Sequence, residues 1–111
     1  MIGLSVEAKD EMLAIFTSRA LTVGLFVGDE EISDPRYQRL PIQFSPPQGG
    51  YIENMNEVLY DDMARDHRID YWGIFDDQGR LRARDAIVKP RDLPAEDRFF
   101  FAPGNVRISL V

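Results

Sequence analysis

The side chains in this chain best suited to moving a proton or holding a cation are a single histidine and two groups of acids. His67 stands in Arg65-Asp66-His67-Arg68-Ile69-Asp70, where pairing with Asp66 or Asp70 would suit a general base or one metal ligand. One histidine cannot build a two-histidine metal site, and its charged neighbours seek solvent, so a surface loop is the expected setting. Asp61, Asp62, Asp66 and Asp70 form one acidic group; Asp29, Glu30, Glu31 and Asp34 form the other. Calcium favours clustered oxygens, yet neither run has the alternating ligands and central glycine of a calcium loop. Solvated loops are the expectation for both, with no metal and no cofactor.

Covalent chemistry fares no better. Ser5, Ser18, Ser33, Ser45 and Ser109 lack the glycine-flanked setting of a nucleophile elbow, and no glycine-rich phosphate loop is present. There is no cysteine, which removes disulfides, thiolate metal sites and cysteine nucleophiles together. A paired-carboxylate glycosidase needs two acids held across a cleft with substrate subsites, a large demand on 111 residues. The expectation is therefore no catalytic residue and no enzyme.

Aromatic rings offer binding chemistry instead. Tyr71, Trp72, Phe75, Phe99, Phe100 and Phe101 could form a sugar-stacking platform, although core packing is the expected fate of most of them. Both pleat faces of Tyr71 to Phe75 carry large apolar groups, so this strand must be covered twice, and one cover is open to a second subunit. Eleven of the 13 basic residues are arginine, a bias that favours forked pairing with carboxylates at contacts. The formal charge of -6 repels a nucleic-acid backbone, so no nucleic acid is expected as a partner. No apolar run reaches the roughly 20 residues of a spanning helix, and the acidic start is unlike a signal peptide. A protein folded in the cytoplasm, with no membrane partner, is the expectation.

The elements that must position these groups are legible from periodicity. Ser5 caps a helix over about 6–19, with Ala8, Met12, Ile15 and Phe16 offered for burial, Leu13 at the margin of that stripe, and Lys9, Asp10, Glu11 and Ser18 left wet. Leu21 to Val27 alternates as a strand buried on its odd face. Tyr37 to Phe44 makes another, pushed to a sheet edge by Pro41, and a partly regular strand follows around 52–60. A charged connection over 61–70 leads to a hairpin, Tyr71 to Arg84, turning at Asp76-Asp77-Gln78-Gly79. Arg80, Arg82 and Arg84 should share one face of its second arm, Leu81 and Ala83 the other. That arm would run through Ala86 to Lys89 until Pro90; Arg91 to Asp97 reads as an exposed loop. Phe99 to Phe101 and Val106 to Val111 close the chain as short strands. The fold class expected is mainly β, a single antiparallel β-sandwich, jelly-roll-like or a flattened barrel, with one N-terminal helix.

The order of helix, ALTVGLFVGD, a strand ending in a Pro/Gly loop, Asn54 and Asn56, YWGIFDDQGRL and APGNVRISLV resembles the small β-sandwich virion proteins of tailed bacteriophages, commonly labelled tail fibre or minor tail proteins. The likeness covers nearly the whole chain and rests on packing and turn motifs. It departs from that pattern in the acidic link over 61–70 and the charged arm over 80–85. The resemblance implies a non-enzymatic virion component of tail, baseplate or fibre, with other virion proteins and further copies of itself as partners. Contacts are expected through Arg80, Arg82, Arg84, Asp61, Asp62 and Asp66, since opposite charges at separate sites suit a heterologous contact. Two alternatives remain: a decoration protein on the phage head, and a carbohydrate-binding module that meets a host glycan through Trp72 or Phe100, with loop acids holding calcium.

Overall fold

The computed structural model describes residues 3–110. It is mainly β, paired throughout antiparallel, with one helix near the N-terminus. Helix α1 spans Val6–Phe16; the strands are β1 Leu21–Val27, β2 Glu30–Glu31, β3 Leu40–Ile42, β4 Tyr51–Glu53, β5 Val58–Tyr60, β6 His67–Phe75, β7 Leu81–Leu93, β8 Phe99–Phe101 and β9 Arg107–Ser109. Five strands form one sheet in which β1 pairs with β6 along one edge and with β2 and β3 in succession along the other, while β6 also pairs with β7. Two small ladders, β4 with β9 and β5 with β8, complete the body.

The core lies where one face of the large sheet meets these ladders. Val23, Leu25, Ile69 and Ile74 are at 0% exposure on the sheet, and Ile52, Val58, Phe99, Phe101 and Val106 close over them. The odd face of β1 is inward as its alternation requires, down to Leu25; Val27 is exposed. Pro41 sits in β3, at the outer edge of β1, where its missing amide proton costs no ladder bond.

β1 would leave one amide without a partner between its two edge strands. Leu25 N–H donates instead to the Tyr37 hydroxyl at 3.0 Å, and the phenol donates onward to Glu31. A side chain thus replaces a strand there, because a buried amide without a partner is costly.

Several elements depart from the sequence expectation. α1 ends at Phe16 and not near Arg19, because the hydroxyls of Thr17 and Ser18 take the carbonyls of Leu13 and Ile15 that another helical turn would use. Its buried residue is Leu13, while Met12 and Ile15 stand 49% and 74% exposed. Asp10, expected to be wet, accepts from Gly50 N–H at 2.8 Å. The segment 52–60 is two strands, broken where Asn54 turns inward. The charged connection is shorter, since β6 already begins at His67, and the expected loop over 91–97 is strand as far as Leu93, which is fully buried. The last strand is confined to Arg107–Ser109, with Ile108 and Leu110 half-buried; Val111 lies outside the described residues.

Asn54 explains the break. It is 1% exposed, its amide nitrogen donates to the carbonyls of Asn56 and Ala102, and its side-chain oxygen accepts from Val106 N–H at 2.9 Å. Asn56 ties the same corner to β3 through Gln43 N–H and the Pro41 carbonyl. One asparagine faces into the molecule and the other bridges its edge.

Candidate functional site

The hairpin turn forms as its residues dictate. Asp76 N–H bonds the Arg80 carbonyl at 2.9 Å, Gly79 N–H bonds the Asp76 carbonyl at 3.0 Å, and Gly79 adopts φ 76°. This is the three-residue loop whose left-handed position favours glycine. The Asp76 carboxylate accepts from Gln78 and Arg80 N–H; the Arg80 amide bond above all, with Gln78 and the nearby arginines, holds its pKa below the usual carboxylate range against burial.

Beyond the turn the expected alternation breaks. Phe75 faces Leu81 but Ile74 faces Ala83, so Arg82 is the extra residue of a β-bulge. Leu81 consequently lies on the same face as Arg84: a Cβ built on Gly73 would come within 2.8 Å of Leu81 Cδ1, and Gly73 is directly opposite Arg84. The arginines are not a single contact face. Arg80 is held at the turn by Asp76 at 3.5 Å, Arg82 is exposed on the bulge, and Arg84 folds back over the protein's own rings.

Those rings answer what covers the outer face of Tyr71 to Phe75. Gly24 and Gly73 are paired across β1 and β6 and leave a trough in which Phe26 and Phe75 stack, 6.0 Å between centroids and 7° from parallel. A guanidinium closes each end: Arg39 lies 3.4 Å above Phe75, and Arg84 lies 5.1 Å from Phe26 and 4.2 Å from Tyr71. Arg84 also bonds the Gly28 carbonyl and Asp29, while Asp70 accepts from Gly28 N–H, so the β1–β2 turn is clamped from two sides. Arg39 makes a forked pair with Glu31 at 2.9 and 3.0 Å. Burial pushes the Glu31 carboxyl up, but the bonds from Arg39 and Tyr37 bring it below its ordinary value; burial and the Glu31 bond push the Tyr37 phenol well above the phenol range. The second cover is thus the chain's own arginines.

His67 is not in a surface loop, and its partner is neither Asp66 nor Asp70. As the first residue of β6, its side chain 12% exposed, it places Nε2 2.7 Å from Asp34 Oδ2. Asp34, whose side chain is closed off from solvent, also accepts from the backbone amides of Arg36, Ala64 and Arg65 at 2.9 to 3.0 Å. Burial would raise the Asp34 pKa; the His67 bond and the three amides outweigh it and hold the carboxyl well below the usual range. A carboxylate so fully engaged ties the loop before β6 to the loop after β2. Spacing in sequence hides the pair, which stands 33 residues apart.

The acids are dispersed. Asp62 pairs with Arg36 at 3.1 Å, Asp66 accepts from Ala95 N–H at 2.8 Å, and Asp61 is exposed beside them. Among the described residues no three histidine, aspartate or glutamate side chains gather closely enough to hold a metal ion.

The rings singled out for sugar stacking part company. Trp72 is 5% exposed and belongs to the core, whereas Phe100 is 52% exposed because its neighbours Phe99 and Phe101 take the inward positions of β8. Phe100 borders a groove of about 520 Å³ between β8 and the outer part of β7, with Trp72 at its floor, Val88 on its rim, and Lys89, Arg91, Arg107 and Asp85 around it. The rim exists because β7 bulges: Ile69 faces Arg91 and Tyr71 faces Ala86, so Ile87 to Pro90 loop out opposite Asp70 and leave Val88 96% exposed. This groove was missed at the level of sequence; the signal available was Pro90 inside a strand-like run. No protein-family model matches the chain, and no curated protein matches it either.

Proposed function

We propose that this protein is a non-enzymatic structural component of a tailed-phage virion, a β-sandwich carried on the tail, baseplate or fibre and acting through contacts with other virion proteins and with its own copies. The observation that carries this reading is where the apolar surface is left. Met12 and Ile15 on α1, and Val88 and Phe100 beside the groove, are exposed on a body whose core is otherwise closed. Single exposed apolar residues are ordinary, and Leu4, Val6, Val27, Met55, Leu59 and Leu81 are exposed too; what supports a contact is that these four fall in two pairs, one on a helix flank and one around a groove. Meanwhile Asp34, His67, Glu31, Arg39 and Arg84 are engaged in internal ties, which suits a scaffold. The resemblance of the hairpin and closing strand to phage sandwich proteins supplies the setting.

Mass spectrometry of purified particles tests it: the protein should be present in a fixed stoichiometry, and its absence from particles would end the reading. Gel densitometry separates tail from head, since a decoration protein covering the capsid would be present in far more copies.

A further inference from the structure

α1 has two apolar stripes, and the fold buries only one. Leu13 and Phe16 turn toward the body, Leu13 at 2% exposure. Ala8, Met12 and Ile15, spaced four and three residues apart, fall along another flank, where Met12 and Ile15 remain in water. Glu7 and Glu11 sit on the exposed side of the same helix. An 11-residue helix gains little from its own propensity in water, so an apolar stripe on its outer flank is best accounted for by a contact outside this chain.

The groove beside β7 has the opposite character. Phe100 and Val88 give it an apolar rim; of the bases around it Arg91 is paired with Asp97 at 3.6 Å and Arg107 lies 3.8 Å over the Tyr51 ring, still charged, so Lys89 and Arg107 are set against Asp85. Helix stripe and groove share no residue. They match twice, apolar against apolar and acid against base. Two copies of α1 set face to face would bring Glu7 and Glu11 against themselves, and two grooves would oppose their bases, so like surfaces repel and unlike ones attract. The helix is about 16 Å long, and because Leu13 and Phe16 stay packed on its own body, it is the outer flank that meets the groove.

We infer that α1 of one copy seats in the groove of a second copy, joining molecules head to tail. A heterologous contact of this type closes into a ring or continues as a filament. The inference rests on reading the chain as a contact-making protein, but it needs no virion to be tested.

Sedimentation velocity on the purified full chain over a concentration series is the experiment. The wild type should associate, as a closed dimer if two copies exchange contacts reciprocally and as larger species if they do not. Ile15→Glu and Phe100→Glu, both at exposed positions and checked for unchanged far-UV circular dichroism, should each sediment as monomers. Mixed in equal amounts they retain one intact helix and one intact groove between them, and should give a dimer that grows no further. As a second pair, Glu11→Lys should weaken association at least tenfold and Lys89→Glu likewise. A wild type that stays monomeric throughout, variants that associate as it does, or a mixture that remains monomeric would each overturn the inference. Loss of association in Ile15→Glu with none in Phe100→Glu would overturn it in favour of a symmetric helix pair. A monomeric wild type that is nonetheless present in particles would leave the structural role standing and this contact refuted.

Discussion

Asn54 is the residue on which the corner between β4 and β5 depends, since its buried side chain satisfies the carbonyls of Asn56 and Ala102 and the buried amide of Val106. Asn54→Ala should cost about 2–4 kcal/mol in urea unfolding, and Asn54→Asp a comparable amount, because a carboxylate would face the Asn56 and Ala102 carbonyls with no donor. Asp34 governs acid stability. Its folded pKa is depressed, so its contribution is present above the unfolded value near 4 and is lost as pH falls toward the folded one. Between pH 5 and 2 the wild-type urea midpoint should therefore fall more steeply than that of Asp34→Asn, by up to one proton per molecule; equal slopes would refute the assignment. Glu31 and Asp76, also depressed, act in the same sense and keep a residual slope in the variant.

At the level of elements, the pairing of β1 with β6 is made tight by two glycines that face each other. A methyl group on Gly73 would meet Phe26 Cε1 at 2.5 Å and Leu81 Cδ1 at 2.8 Å, and Arg84 packs against that ring from outside. Gly73→Ala should destabilise by about 1–3 kcal/mol, read as a lower urea midpoint with an unchanged m-value. What was legible here was local. The turn at Asp76 to Gly79, the N-cap at Ser5 and the odd face of β1 are written in neighbouring residues. The first half of β6 and the last part of β7 were not, because Arg68 pairs with Asp70 and Asp92 across the outer face, and charges that neutralise one another between strands look like a solvated link in one dimension. The helix stripe differs for a related reason: Ala8, Met12 and Ile15 do share a flank, but periodicity reports an apolar flank without saying whether the fold covers it. The Asp34–His67 pair and the groove bring together residues too distant in the chain for spacing to reveal.

The molecule as a whole is elongated, 45 × 27 × 23 Å, with β6 and β7 as its longest strands. Trp72 lies inside it, so tryptophan emission should be blue-shifted, weakly quenched by iodide, and unmoved by host polysaccharide; a glycan-dependent shift would revive the sugar-binding alternative. The topology also sets an order of events. β6 and β7 meet through a turn of three residues, whereas Val23 must find Ile74 and Ile52 must find Ile108 across long stretches of chain. Closing short loops is fast and distant strand pairing is slow, so refolding should take milliseconds to seconds, with the hairpin assembled in the rate-limiting barrier and β4 and β9 docking after it. Truncations at Ala83 in the hairpin should slow refolding, while Ile52→Val should chiefly speed unfolding. The long hairpin would then serve as the template against which the remainder of the chain is sorted.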